Sequence, residues 1–159
     1  MRYGGIGEIE VFKYCKSKGL HAKFLESFDA KYDLLVESKK VDVKTRCGKV
    51  PLSPSFFLNV QAEHASADKD IITFCYLNET TGDIQVLGAL TLSEFLHEAK
   101  LKRLGDTEPN GFAYHCDTFV IHPSQLKPLE EVIPRYSYDD TDDRIEDAKL
   151  GIGYAGVRA

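Results

Sequence analysis

The sequence predicts a mixed α/β (α+β) fold, a β-sheet with helices against it. Two stretches with helical apolar spacing, a pair of alternating segments and one nearly continuous apolar run carry that prediction. Gly7 to Lys18 places Glu8, Val11, Phe12 and Cys15 on one helical face, and Gly19 supplies a left-handed stop. Ala22 to Leu25 reads as a short strand. Tyr32-Asp33-Leu34-Leu35-Val36 and Lys40-Val41-Asp42-Val43-Lys44-Thr45, parted by Glu37-Ser38-Lys39, read as a hairpin.

Arg46 to Ser55 is rich in Gly, Lys, Pro and Ser and is expected to be a surface loop. Ile71 to Leu77 is apolar almost throughout, as a central strand covered on both faces would be. Asn78 to Asp83 should turn the chain into a strand over Ile84 to Leu90. Thr91 and Glu94 make a capping box, and Leu92, Phe95, Leu96 and Ala99 form a helical stripe closed by Gly105. Phe119-Val120-Ile121 is expected as a strand and Pro123 to Glu131 as a short helix. The length of 159 residues suits one domain, expected over 1–138, with an acidic tail over 139–159.

Composition narrows the function. Hydrophobic residues make up 43% and charged residues 28%, values typical of chains that fold around a core. No apolar run reaches the roughly 20 residues of a membrane span, and Met1-Arg2-Tyr3-Gly4-Gly5 lacks a signal peptide's apolar stretch, so a cytoplasmic protein without a membrane partner is expected. The net charge of −5 argues against a protein that coats nucleic acid. The charge is uneven, however: residues 1–50 hold 11 Lys+Arg against 7 Asp+Glu, and the remainder hold 9 against 18. Cys15, Cys47, Cys75 and Cys116 lack zinc-ligand spacing and are expected as reduced thiols.

The basic half also contains the charged side chains placed most unusually. On the strand containing Val41 and Val43, alternation sends Asp42 and Lys44 together to the opposite face. Asp33, on the neighbouring segment, could meet Asp42 across the pair, and Glu8 lies on the inward stripe of the first helix. Acid-x-Lys triplets also occur at Glu37-Ser38-Lys39 and Glu98-Ala99-Lys100, so spacing alone does not mark the site. Context does, because Asp42-Val43-Lys44 lies in an apolar strand with a second acid beside it.

Two carboxylates suit magnesium, which is usually held by one or two of them while keeping several waters. Asp33 and Asp42, the backbone carbonyl of Val43 and Glu8 are the candidate metal ligands. Lys44 beside such an ion could orient water or stabilise charge developing on a phosphate. Arg46 and Lys49, just beyond, are candidate phosphate contacts.

These residues resemble the PD-(D/E)XK nuclease superfamily, including Holliday-junction resolvases and restriction and phage nucleases. The resemblance spans roughly residues 5–100. Its motifs are Gly7-Glu8, Lys18-Gly19-Leu20, Tyr32-Asp33-Leu34 and Val41-Asp42-Val43-Lys44-Thr45, with Tyr32 in place of the proline that names the motif and Asp42 as the middle acid. It implies a restriction-endonuclease-like core, catalysis by Glu8, Asp33, Asp42 and Lys44, magnesium or manganese as cofactor, and DNA as substrate, cut by direct attack of water. It also makes Gln61 a candidate counterpart of the polar residue that often follows the lysine. Cutting two strands would suit a homodimer. The alternative is a nuclease-fold protein without activity, working through protein or nucleic-acid partners.

Other motifs point less far. His64 near Gln61, and His115 beside Cys116, lack a third partner at a defined spacing. Tyr114, Phe119, Tyr136 and Tyr138 are better read as core aromatics than as a base-stacking platform. Gly151-Ile152-Gly153-Tyr154-Ala155-Gly156 has neither the strand nor the helix that a dinucleotide loop needs.

Overall fold

The computed structural model describes residues 3–25, 32–65 and 68–134, with side chains from residue 5 onward. It divides into two compact units, Met1–Pro128 and Leu129–Ala159. In the second unit residues 129–134 are helical. The expected boundary at 138, the acidic stretch 139–147, Tyr136, Tyr138 and the glycine-rich end lie outside the described residues.

The first unit contains α1 (Tyr3–Ser17), β1 (Ala22–Phe24), β2 (Leu34–Val36), β3 (Lys39–Gly48), β4 (Leu58–Gln61), β5 (Ile71–Asn78), β6 (Ile84–Thr91), α2 (Leu92–Glu98), β7 (Lys100–Lys102) and β8 (Thr118–Ile121). One sheet runs β1-β2-β3-β5-β6, with β3 and β5 parallel and its other neighbours antiparallel. A smaller antiparallel sheet runs β4-β8-β7. The fold is therefore mixed α/β, as expected.

Helix α1 begins four residues before the expected Gly7. Val11 and Cys15 on its inward stripe are fully buried, and Gly19 closes it with φ of 75° while Leu20 N–H reaches back to the Cys15 carbonyl. The β2–β3 turn is Glu37-Ser38 alone, both with positive φ, and strand pairing resumes at Lys39. Glu37 is tied down by accepting the His21 N–H.

Strand β3 runs on to Gly48, where a loop was expected. Eight consecutive positions of β3, Val41 through Gly48, pair with β5, and that partnership overrides the local loop composition of Arg46, Cys47 and Gly48. The loop begins only at Lys49. Strand β5 is buried from Ile71 to Leu77, as its apolar run requires. Helix α2 has the expected capping box, but it ends at Glu98. Ala99 is extended, β7 follows at once, and Leu96 is exposed rather than part of the buried stripe. The helix expected over Pro123 to Glu131 is a single 3-10 turn, Pro123–Gln125. Pro128 disfavours helical backbone at the residue before it, and residues 129–134 are helical beyond it.

The five-stranded sheet has two differently used faces. Val43, Thr45 and Cys75 lie toward α1, where the Gly7 carbonyl meets Cys75 Sγ at 3.8 Å. On the other face Ile72 and Phe74 pack with Leu58 and Val60 of β4, Leu90, Phe95 and Ile121. A β-carbon at Gly7 would overlap the Thr45 hydroxyl and press on Val43, so glycine sets the approach of α1 to β3. Gly7→Ala is expected to cost about 1–3 kcal/mol of unfolding free energy in urea denaturation, the usual penalty of overpacking. An unchanged midpoint would show that α1 can shift freely on the sheet.

Candidate active site

Strand β2 stops at Leu34, whose Cα partner is Val41, while β3 continues beyond it. Val43 N–H therefore faces a flank of β3 with no β2 backbone beside it. Asp33 fills the place: its Oδ2 accepts the Val43 N–H at 2.7 Å, and its own N–H donates to the Val41 carbonyl at 2.9 Å. The N–H and C=O of one strand residue leave on the same side, so the Val43 carbonyl also points to the Asp33 flank.

Asp33 thus lies in the gap at the edge of the sheet, close to groups on both faces. Its carboxyl is pushed up to about 7, first by burial and against the lowering effect of the Val43 N–H; the Asp42 carboxyl, within hydrogen-bond reach, raises it further, and Glu8 on α1 adds a smaller push. Two acids sharing so small a space retain a proton more readily than either alone.

Asp42 sits one residue beyond Val41 on the face of Ile72, its Cα partner. It is buried and meets two lysines through one oxygen: Lys69 Nζ lies 3.0 Å and Lys44 Nζ 3.3 Å from Oδ2. The two cations differ in setting. The Lys69 side chain is 4% exposed and also donates to the His64 carbonyl, whereas that of Lys44 is 27% exposed and can reach solvent. Lys69 was not recognisable from the sequence. Flanked by Asp68 and Asp70 before an apolar run, it has the composition of a solvated turn, and only the pairing of β3 with β5 brings it to Asp42.

The structure thus brings together Asp33, Asp42, Lys44 and the Val43 backbone, with Glu8 a neighbouring charge. Among the described residues no three His, Cys, Asp or Glu side chains gather closely enough to hold a metal ion. Asp33, Asp42 and the Val43 carbonyl are the oxygens that a hard divalent ion could use there, with water supplying the rest.

The expected outer contacts separate. Arg46 shares the Asp42–Lys44 face, donates to the Phe57 carbonyl, and lies 4.8 Å over the Phe56 ring. Lys49 is exposed beyond the end of β3, its carbonyl held by Thr80, roughly 16 Å along the strand from Lys44. Gln61 belongs to β4 in the smaller sheet and lines a cavity with Leu104, His115, Cys116 and Asp117. The sequence carries no signal that β4 would join another sheet. His64 contributes its carbonyl to Lys69, and its ring lies 3.6 Å from Glu63. Phe119 is half-buried against the core and Tyr114 is buried. All four cysteines are free thiols, and burial pushes Cys75 up to about 12, which suits a packing role. Among the described residues no helix is long and apolar enough to cross a membrane.

Compared with protein-family models, with curated proteins and with solved structures, the chain matches none.

Two outcomes follow from these environments. Lys69→Met leaves a buried carboxylate short of its enclosed partner and is expected to cost about 3 kcal/mol, whereas Lys44→Met should cost under about 1 kcal/mol because that pair is partly solvated. Urea denaturation of both variants measures the contrast, and equal losses would contradict it. Asp33 keeps its proton up to about 7 in the folded protein but releases it near 3.8 when unfolded. The folded state therefore binds the extra proton between those values, and stability falls as pH rises through that window. Asp33→Asn should remove this dependence and be more stable than the parent at pH 8 by on the order of 1 kcal/mol. A stability difference that stays constant from pH 4 to 8 would contradict the assignment.

Proposed function

We propose that the protein is a metal-dependent DNA endonuclease that hydrolyses phosphodiester bonds at the Asp33–Asp42–Lys44 site. The observation that carries this reading is the pairing of Asp33 and Asp42 at a strand gap beside a solvent-reaching lysine. Like carboxyls held this close are costly without a cation or a shared proton. Asp33, Asp42 and the Val43 carbonyl would hold magnesium or manganese. Bound there, the ion would offset phosphate charge and lower the pKa of an attacking water.

The chain's own groups supply the rest. Lys44, about a quarter exposed and 3.3 Å from Asp42 Oδ2, could turn toward a phosphate oxygen or a water. Its positive charge would stabilise the negative charge that grows on the phosphate during attack. Lys69 cannot do this from its enclosed position. It instead fixes Asp42 through Oδ2. Glu8 keeps the site negative from the α1 side. In support of this reading, α1 is followed by three antiparallel strands and, after β4 of the smaller sheet, by β5 parallel to β3.

One observation favours a second reading. Asp42 already has two cationic partners, as it would if the site had become a structural ion cluster in a binding or regulatory protein. Magnesium or manganese with duplex, single-stranded and branched DNA separates the readings. Cleavage is expected, with Lys44→Ala slower by at least about a hundredfold and its circular dichroism unchanged. Cleavage that survives Lys44→Ala would remove the assignment. No cleavage of any substrate by the parent protein would favour the second reading.

A further inference from the structure

Two residues beyond Lys44, on the same face of β3, the chain opens into a cavity of about 430 Å³. Its lining includes Thr45, Arg46, Phe57, Asn59 of β4, Phe112 and Tyr114. The far wall is a small hairpin, held by the Thr107–Ala113 bridge, Glu108 N–H to the Phe112 carbonyl, and Tyr114 N–H to the Asp106 carbonyl. Backbone pairing within the hairpin therefore fixes this wall.

Its chemistry selects among ligands. Phe112 is 46% exposed although it stands edge-on to Tyr114 with centroids 5.0 Å apart, so one large aromatic surface is left in water. The Asn110 carboxamide oxygen accepts Phe112 N–H, which leaves its NH2 to donate. Glu108 is a wall residue held by Tyr114 Oη at 2.5 Å and Lys102 Nζ at 3.4 Å, both on Oε2. A carboxylate there repels phosphate, yet it accepts hydrogen bonds from ring and exocyclic N–H groups. An aromatic face, an amide donor and a carboxylate acceptor fit the flat, polar-edged body of a nucleobase. They fit a phosphate or an aliphatic chain poorly. Arg46 at the mouth lies about 7 Å along the strand from Lys44, within reach of the sugar-phosphate that would carry such a base.

We propose that this cavity takes one unpaired nucleobase from the strand whose phosphate faces Lys44. The substrate would then be single-stranded DNA, or DNA with an unpaired nucleotide beside the cut, rather than fully paired duplex. The inference rests on the nuclease reading for its placement beside a scissile phosphate, but not for the capture of a base.

Binding without metal tests it. In EDTA, with no cleavage possible, fluorescence anisotropy would compare an eight-nucleotide strand with the same sugar-phosphate chain lacking bases. The base-bearing strand is expected to bind about tenfold more tightly, the scale of one base stacked on an aromatic ring. Phe112→Ala should bring that ratio close to one while leaving affinity for the baseless chain unchanged; because Phe112 is so exposed, its loss does not threaten the fold. Asn59→Ala, also at an exposed position, should reduce the ratio in part. A ratio that Phe112→Ala leaves intact would overturn the proposal. So would a free mononucleotide that binds as tightly as the strand, since the backbone would then not pass Lys44. Loss of cleavage in metal does not move this ratio, and loss of the ratio leaves the cleavage test standing, so failure of either reading can be told from failure of the other.

Discussion

The site depends on one substitution of a side chain for a strand. Strand β3 is central, and a central strand must satisfy backbone groups on both flanks. Strand β2 begins only at Leu34, and the Asp33 carboxyl takes the Val43 N–H that a β2 begun earlier would have covered. The hydrogen bond holds Asp33 at the edge of the sheet, where it sees Glu8 from one face and Asp42 from the other. A longer β2 would satisfy the backbone equally well and leave no gap, no acid pair and no outward carbonyl at Val43. The hairpin turn is accordingly tight, and its two positive-φ residues fix where pairing begins and therefore where it stops.

Charge is arranged around this gap in order of exposure. Lys69, enclosed, holds Asp42 in place, whereas Lys44 reaches solvent. Burying Lys69 is expensive by itself, because an ammonium loses hydration, and the pair repays it only through close contacts to Asp42 and the His64 carbonyl. Such a pair is a poor means of adding stability. It is a good means of fixing one carboxylate oxygen in place. The same face of β3 continues from Lys44 to Arg46 and the aromatic cavity, so a single strand lays out acid, base and aromatic contacts in a line.

Much of this was legible in the sequence because alternation is a local rule. Asp42 and Lys44 share a face wherever Val41 and Val43 are buried, and Asp33 precedes a hairpin segment whose register places it beside Asp42. Gly19, the Thr91–Glu94 box and the apolar run from Ile71 state their structures in their own residues. What the sequence hid is tertiary. Arg46 to Gly48 look like a loop and become strand because β5 pairs with them. Leu58 to Gln61 are four residues with two apolar ones, too few to announce β4, whose last residue Gln61 lines a cavity with Cys116. The second helix stops at Glu98 because Ala99 leads directly into β7, a strand with little local signal. Lys69 between two aspartates resembles a solvated turn, and nothing short of the β3–β5 register reveals its partner.

The central claim is that Asp33 and Asp42, with the Val43 carbonyl, form a seat for a hard divalent ion. A crystal structure of the protein soaked in manganese tests it most directly, through the ion's anomalous signal. An ion is expected within about 2.2 Å of both carboxyl groups and of the Val43 carbonyl, completed by waters, with Lys69 still on Asp42 Oδ2. A saturated crystal with no ion between residues 33 and 42, or with its manganese bound by other side chains, would contradict it.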